Sequence, residues 1–175
     1  NAIKISPEYV IRFEFRGLSK HNLKNYLEAI KDFDKAIEIN PNNSTAYSYR
    51  GSTKVELKDF KGAIKDFSKA IEIEPNDIVS INNRGDAKYL SSDFNGSIED
   101  FSKAISIDSN YYNALCNRSL AKVAINDYTG AIEDCSRALE INSQASFPFN
   151  IRGVAKAALE DYKGAIDDYS KAIEI

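Results

Sequence analysis

The sequence predicts an all-α solenoid of about five helix-turn-helix units, and three observations predict it. The first is a period: Arg16, Arg50, Arg84, Arg118 and Arg152 stand 34 residues apart and make up five of the chain's seven arginines. Lys20, Lys54, Lys88, Lys122 and Lys156 keep the same spacing, as do the aromatics Tyr26, Phe60, Phe94, Tyr128 and Tyr162. The second is helical periodicity in the latter half of each unit, where Phe60, Ala63, Ile64, Phe67, Ala70 and Ile71 fall on one face. The third is punctuation. Asn25, Asp59, Asp93, Asp127 and Asp161 precede the aromatics, and Asn40-Pro41 and Glu74-Pro75 follow the apolar run.

The first half of each unit carries a large residue (Phe13, Tyr47, Ile81, Leu115, Phe149) and, four residues on, a small one (Gly17, Gly51, Gly85, Ser119, Gly153). One helical turn separates them, so this half predicts a shorter helix whose small residue lets another helix approach closely. The Asn or Asp before each second helix predicts an N-cap, because its side chain accepts from an unpaired amide of the first turn. The prolines end the second helices, since proline lacks an amide hydrogen and disfavours helical geometry in the residue before it. With Val10 as position 1, the units span 10–43, 44–77, 78–111, 112–145 and 146–175, and the pair turns near positions 15 and 16. Residues 1–9 read as the tail of a preceding unit, because Ala2, Ile3, Ile5 and Pro7 match Ala36, Ile37, Ile39 and Pro41. No polar capping helix follows Ile175, so the expectation is a piece of a longer array with uncapped ends.

Composition removes several classes of function. The 175 residues hold 23 Lys and Arg against 26 Asp and Glu, a net charge of -3 that offers no cationic excess for a nucleic-acid backbone. One histidine and two cysteines exclude a multi-ligand zinc site and a disulfide-stapled scaffold. No apolar stretch approaches the roughly 20 residues that span a bilayer. Gly62, Gly96, Gly130 and Gly164 each stand alone in a first turn and form no phosphate-binding loop, so no cofactor is expected. No catalytic constellation stands out from the repeating background. His21 reads as a packed or edge residue, Cys135 as a small buried core residue and Cys116 as exposed. Two thiols on different faces favour a reducing compartment and hence the cytoplasm.

The unit length, the large residue at position 4, the small one at 8, alanine or serine at 20 (Ala29, Ala63, Ser97, Ala131, Ala165), alanine at 27 and proline at 32 resemble the tetratricopeptide repeat. The resemblance covers nearly the whole chain in one phase. It implies a right-handed superhelix with the first helices on the concave side, positions 2, 5, 9 and often 6 and 12 facing inward. Several positions depart from the family pattern. Ser109 and Ser143 replace the proline, Cys135 replaces the aromatic at 24, and arginine and lysine occupy positions 7 and 11 where leucine and tyrosine are frequent.

In a helix pair turning at 15 and 16, position 7 and the recurrent aspartate at 23 (Asp32, Asp66, Asp100, Asp134, Asp168) lie level to within about 1.5 Å. The expectation is a structural ladder in which each arginine stem covers apolar surface and its fork holds a partly buried carboxylate. The alternative is a ligand-facing arginine row. Glu99 with Lys103, Glu133 with Arg137 and Asp167 with Lys171 read as exposed pairs one turn apart.

Unlike the core, the inward positions differ from unit to unit. No lysine or arginine stands at positions 2, 5, 6 or 9, so the carboxylate clamp of some relatives is not expected. Asn82, Asn83, Asn117 and Asn150 offer donors and acceptors for an extended backbone, Asp86 adds an acidic group, and Leu120, Phe147 and Val154 form an apolar patch. The function expected is a non-catalytic scaffold that binds a protein or peptide in this groove. The alternatives are an assembly spacer stacking end to end through faces that include Ile166, Tyr169 and Ile173, or a regulatory module of a larger protein.

Overall fold

A computed structural model of the chain describes residues 7–175, which form ten α-helices and no strand. Ala2, Ile3 and Ile5, read above as part of a preceding unit, lie outside the described residues. The chain divides between Ser91 and Ser92 into two compact units. The first contains α1 (Pro7–Asn22), α2 (Tyr26–Ile39), α3 (Ser44–Glu56), α4 (Phe60–Ile73) and α5 (Ile78–Leu90). The second contains α6 (Phe94–Ile107), α7 (Tyr112–Ala124), α8 (Tyr128–Ile141), α9 (Ser146–Ala158) and α10 (Tyr162–Glu174). Within each unit, helices adjacent in sequence pack on one another, and alternate helices also touch, α1 with α3 and α3 with α5 in the first and α7 with α9 in the second. Helix α1 begins at Pro7, three residues before the start of the period, because proline is tolerated in a first turn whose amides have no helical partner.

The helix ends follow from local chemistry. Asp59, Asp93, Asp127 and Asp161 each accept from the amide of the glycine three residues on, at 2.9 to 3.0 Å. A Cβ on Gly62 would stand 2.1 Å from the Asp59 carboxylate, which accounts for glycine at that place. Asn25 occupies the corresponding position but makes no side-chain capping bond. Asn43 and Asp77 cap α3 and α5 through the amides of Ala46 and of Val79 and Ser80.

The turn inside each pair carries a feature with no sequence signal. Lys24, Lys58, Ser92, Asn126 and Glu160, all at position 15, have φ between 60° and 67°, the left-handed region. In the second pair, the amide of Lys58 donates to the carbonyl of Val55 and that of Asp59 to Lys54, the paired bonds of a Schellman motif. Left-handed geometry costs an ordinary residue about 1–2 kcal/mol. Lys58→Gly is therefore expected to stabilise the chain by about 1 kcal/mol, after part of the gain is lost to the freer unfolded glycine, and the urea midpoint measures it.

In the first, second and fifth pairs a ring from the second helix lies over the small residue of the first. Phe33, Phe67 and Phe101 are fully buried. A Cβ on Gly17 would lie 2.7 Å from the Phe33 ring, one on Gly51 2.9 Å from Phe67, and one on Gly153 2.7 Å from Tyr169. In the fourth pair Ser119 replaces glycine and Cys135 replaces the ring, and both are buried. A smaller residue on one helix thus accompanies a larger one on the other.

In the four pairs that lie within one unit, the recurrent charges sit at the waist. Arg16 Nε and Nη2 donate to the two oxygens of Asp32 at 2.9 and 2.6 Å, and Arg50 to Asp66, Arg118 to Asp134 and Arg152 to Asp168 repeat the fork at 2.6 to 2.9 Å. The lysine at position 11 joins the same carboxylate: Lys20, Lys54, Lys122 and Lys156 lie 2.7 to 2.9 Å from Asp32, Asp66, Asp134 and Asp168. These aspartates are 2–3% exposed. Arg16, Arg50 and Arg152 lie over the rings of Phe13, Tyr47 and Phe149 at 5.3 to 5.4 Å, so their stems cover apolar surface while their forks bond.

The remaining nitrogen of the fork reaches the preceding pair. Arg50 Nη1 donates to Asp34 at 2.5 Å, and Arg84, Arg118 and Arg152 donate to the hydroxyls of Ser68, Ser102 and Ser136 at 3.0 to 3.1 Å. Arg84 and Asp100 belong to different units. Of the surface pairs expected one turn apart, Arg137 instead donates to the Ser109 carbonyl at 2.9 Å, and Lys171 stands over the Phe149 ring at 5.6 Å.

Candidate functional site

The inward positions of the first helices differ in exposure within each unit. On α1, α3 and α5, Ile11 and Val79 are about half exposed, whereas Ser52, Asn83 and Asp86 are half-buried. Small hydroxyl residues bring α3 and α5 together, with Ser80 Oγ donating to Ser48 Oγ at 2.9 Å. Between α1 and α3, His21 Nδ1 lies 3.0 Å from Thr53 Oγ1. Thr53 donates its own hydroxyl hydrogen to the Tyr49 carbonyl at 2.7 Å, so His21 Nδ1 carries the proton of that contact. The imidazole also meets the Tyr26 ring edge-on at 5.5 Å. His21 joins α1 to α3.

Two hollows open on this side of the first unit. One, of about 430 Å³, includes Ile11, Glu14, Asn43, Ser44, Thr45 and Glu74 in its lining. Its walls are tied by the side chains of Asn43 and Ser44, which donate to Glu14 and Glu74. The other, of about 170 Å³, is lined by Ser52, Val55, Glu56, Phe67, Asn83 and Asp86. The expected backbone-gripping residues part company here. Asn83 lines the small hollow, but Asn82 is 4% exposed, and its amide nitrogen donates to Asp86 at 3.2 Å and lies 3.5 Å from the Asn83 oxygen. Asn82 thus bonds to Asp86 and is buried beside the groove.

Burial pushes the Asp86 carboxyl up to about 6, against a smaller opposing pull from the Asn82 amide. An acid held above its unfolded value of 3.8 binds its proton more readily in the fold. Its carboxylate thus costs nothing below pH 3.8 and costs the fold stability in full above about pH 6.

In the second unit the corresponding face is more apolar. Phe147 and Val154 on α9 are each 43% exposed, Asn150 is exposed, and Asn117 and Leu120 on α7 are half-buried. Cys116, expected at the surface, is buried at 4% exposure. Its neighbours on α7, Leu115 and Ser119, are buried too. Burial raises the Cys116 thiol and pushes that of Cys135 up to about 11, so neither is an activated nucleophile. On α10, Ile166 and Ile173 are exposed, while Tyr169 turns its ring against Gly153.

Among the described residues no group of three or more His, Cys, Asp or Glu side chains is placed to hold a metal ion. No described helix is long and apolar enough to cross a membrane.

Models of the tetratricopeptide repeat match residues 15–43, 45–77 and 112–144, together more than half of the chain. Among curated proteins there is no match. The crystal structure of MamA superimposes with a TM-score of 0.87 at 19% identity, covering 97% of this chain and 92% of that one. YrrB, described as a TPR protein with an unusual peptide-binding site, gives 0.81 at 20% identity over 99% of this chain and 89% of its own. PilF of Pseudomonas aeruginosa gives 0.85 at 18% identity over 95% of this chain and 76% of that one. At such identities the likeness establishes the fold, an all-α solenoid of tandem helix pairs.

Proposed function

The chain belongs to the tetratricopeptide repeat family, and from that premise we propose that it is a non-catalytic interaction scaffold whose first-helix faces bind a protein or peptide partner. The observation that carries this reading is the contrast between the two kinds of position. Residues between paired helices repeat in kind and are buried: alanine at position 27 is fully covered in four successive pairs, Ala36, Ala70, Ala104 and Ala138. Residues on the first-helix side change from pair to pair and range from buried Asn82 and Cys116, through half-buried Asn83 and Asp86 beside a hollow, to the exposed Phe147 and Val154. A side that only closed the fold would repeat like the core. Asparagine amides supply both donor and acceptor for an extended backbone, and exposed Phe147 and Val154 supply apolar contact for a side chain or a helix.

The test is nuclear magnetic resonance mapping of peptides selected from a capped random decapeptide library on the full chain. Resonances of α3, α5, α7 and α9 should move, and the double variant Asn83→Ala and Asn117→Ala should weaken binding about tenfold. Shifts confined to α4, α8 and α10, or affinity unchanged in the double variant, would overturn the assignment.

A further inference from the structure

We propose that the chain associates head to tail with a second copy of itself, α10 of one copy receiving α1 of the next in the register that joins successive pairs inside the chain. The inference is independent of the scaffold reading, because it uses faces of the two end helices and none of the groove residues named there.

The internal junctions show what this face of a second helix receives. Four times a second helix packs on the first helix that follows it, α2 on α3, α4 on α5, α6 on α7 and α8 on α9, and each junction lies within one unit. These contacts close the apolar face of the second helix. At position 28, Ile71, Ile105 and Leu139 are 7–9% exposed, whereas Ile173 on α10 is 84% exposed. At position 21, Ile30, Ile64, Ile98 and Ile132 are half-buried and Ile166 is exposed. Helix α10 therefore presents the surface that its four counterparts bury against a helix, and burial of such surface drives association.

Helix α1 presents the other half of the same junction. Exposed Phe15 stands at position 6, where Tyr49 of α3 meets the ring of Phe33 on α2 at 5.8 Å. The counterpart of Phe33 on α10 is Tyr169. A hollow of about 250 Å³, lined by Tyr9, Arg12, Phe13 and Arg16, opens on this helix. Arg16 grips Asp32 as the later arginines grip theirs, yet its side chain is 60% exposed against 15–17% for Arg50, Arg118 and Arg152. Those three have a preceding pair to reach: their Nη1 atoms donate to Asp34, Ser102 and Ser136, all at position 25. Position 25 on α10 is Ser170, whose exposed hydroxyl can accept the same bond. One register thus brings Phe15 to Tyr169 and Arg16 to Ser170 together. The two faces differ, so the contact is heterologous, and each added copy leaves one face of each kind open.

One residue opposes the fit. Position 3 holds Ala46, Ser80, Ala114 and Pro148, all buried, but on α1 it holds Arg12, exposed and 3.5 Å from Glu8. Its side chain must lean aside for α10 to seat, so association between copies is weaker than the junction inside the chain.

The experiment is sedimentation of the full chain from micromolar to millimolar concentration, where the mean mass should rise with concentration. Phe15→Asp and Ile173→Asp, both at exposed positions, should each stay monomeric with the circular dichroism of the parent. Mixed in equal amounts they should form a heterodimer and nothing larger, because one keeps only its α10 face and the other only its α1 face. Arg12→Ala should tighten association about tenfold, a gain that no loss of fold could produce. A monomer at every concentration in both the parent and Arg12→Ala overturns the proposal. Self-association of either aspartate variant alone, or a mixture that stays monomeric, places any contact on other faces and overturns it as well.

Discussion

Asp66→Ala is expected to lower the unfolding free energy by about 3 to 5 kcal/mol, the range measured when one partner of a buried ion pair is removed. Asp66 is 3% exposed and holds two cations at once, Arg50 through a two-pronged bond and Lys54 at 2.7 Å. Truncation leaves Lys54 without this carboxylate and Arg50 with Asp34 alone, on side chains only 17% and 20% exposed for Arg50 and Lys54. The cost is the stranding of those charges, and it exceeds whatever net stability the intact triad contributes. Hydrogen exchange should localise the loss to α3 and α4. A decrease of less than 1 kcal/mol in urea would mean that solvent reaches the pair and screens it.

The same arrangement sets the response to acid. Burial raises the Asp168 carboxyl, but hydrogen bonds from Arg152 and Lys156 outweigh it and leave the group below its ordinary value. A carboxyl lowered in the fold contributes stability present above its unfolded value of 3.8 and lost as the pH falls through its folded value. Asp32 behaves likewise through Arg16 and Lys20. The pairs should therefore loosen in acid by protonation at their waists, while Asp86 loses its burden over the higher range between 3.8 and about 6.

Phe67→Ala is expected to cost a further 3 to 5 kcal/mol or so, as full burial of the ring implies. The ring fills the space above Gly51, where a Cβ would lie within 2.9 Å of it, so its removal leaves a void bounded by backbone. Gly51→Ala alone should also destabilise, by about 1 to 3 kcal/mol, because the ring must yield. Combined, the two changes should cost less than their sum, since the new methyl enters the void. A double-mutant cycle in urea measures the coupling, and strict additivity would show that the residues do not share one space. The fourth pair already contains the smaller version of this contact in Ser119 and Cys135.

Much of the fold was legible because one set of spacings is written five times. Periodicity located the helices, and the register of positions 7 and 23 placed the arginines level with the carboxylates that they hold. The lysines of position 11 were visible as a row but without a purpose, since nothing in a linear spacing shows an arginine and a lysine meeting at one carboxylate. The left-handed residue at position 15 was invisible because lysine, serine and glutamate fill it where glycine would have announced it. The groove was legible only in outline. Position 5 holds Asn82 and Cys116, both buried, and Asn150, exposed. Which of these faces outward depends on how closely the next first helix approaches, and that is set by residues such as Ser48 and Ser80 on two different helices.

From Arg50 onward, a further nitrogen of each recurrent arginine reaches backward along the chain, and this gives the array a polarity. A helix pair transplanted into another array would carry its own carboxylate with it but borrow its second acceptor from whatever stands ahead of the graft. A host offering a hydroxyl or carboxylate there, as Ser68 and Asp34 do here, completes the fork. A host offering an aliphatic residue strands a nitrogen, so compatibility between donor and recipient is decided by one residue upstream of the splice.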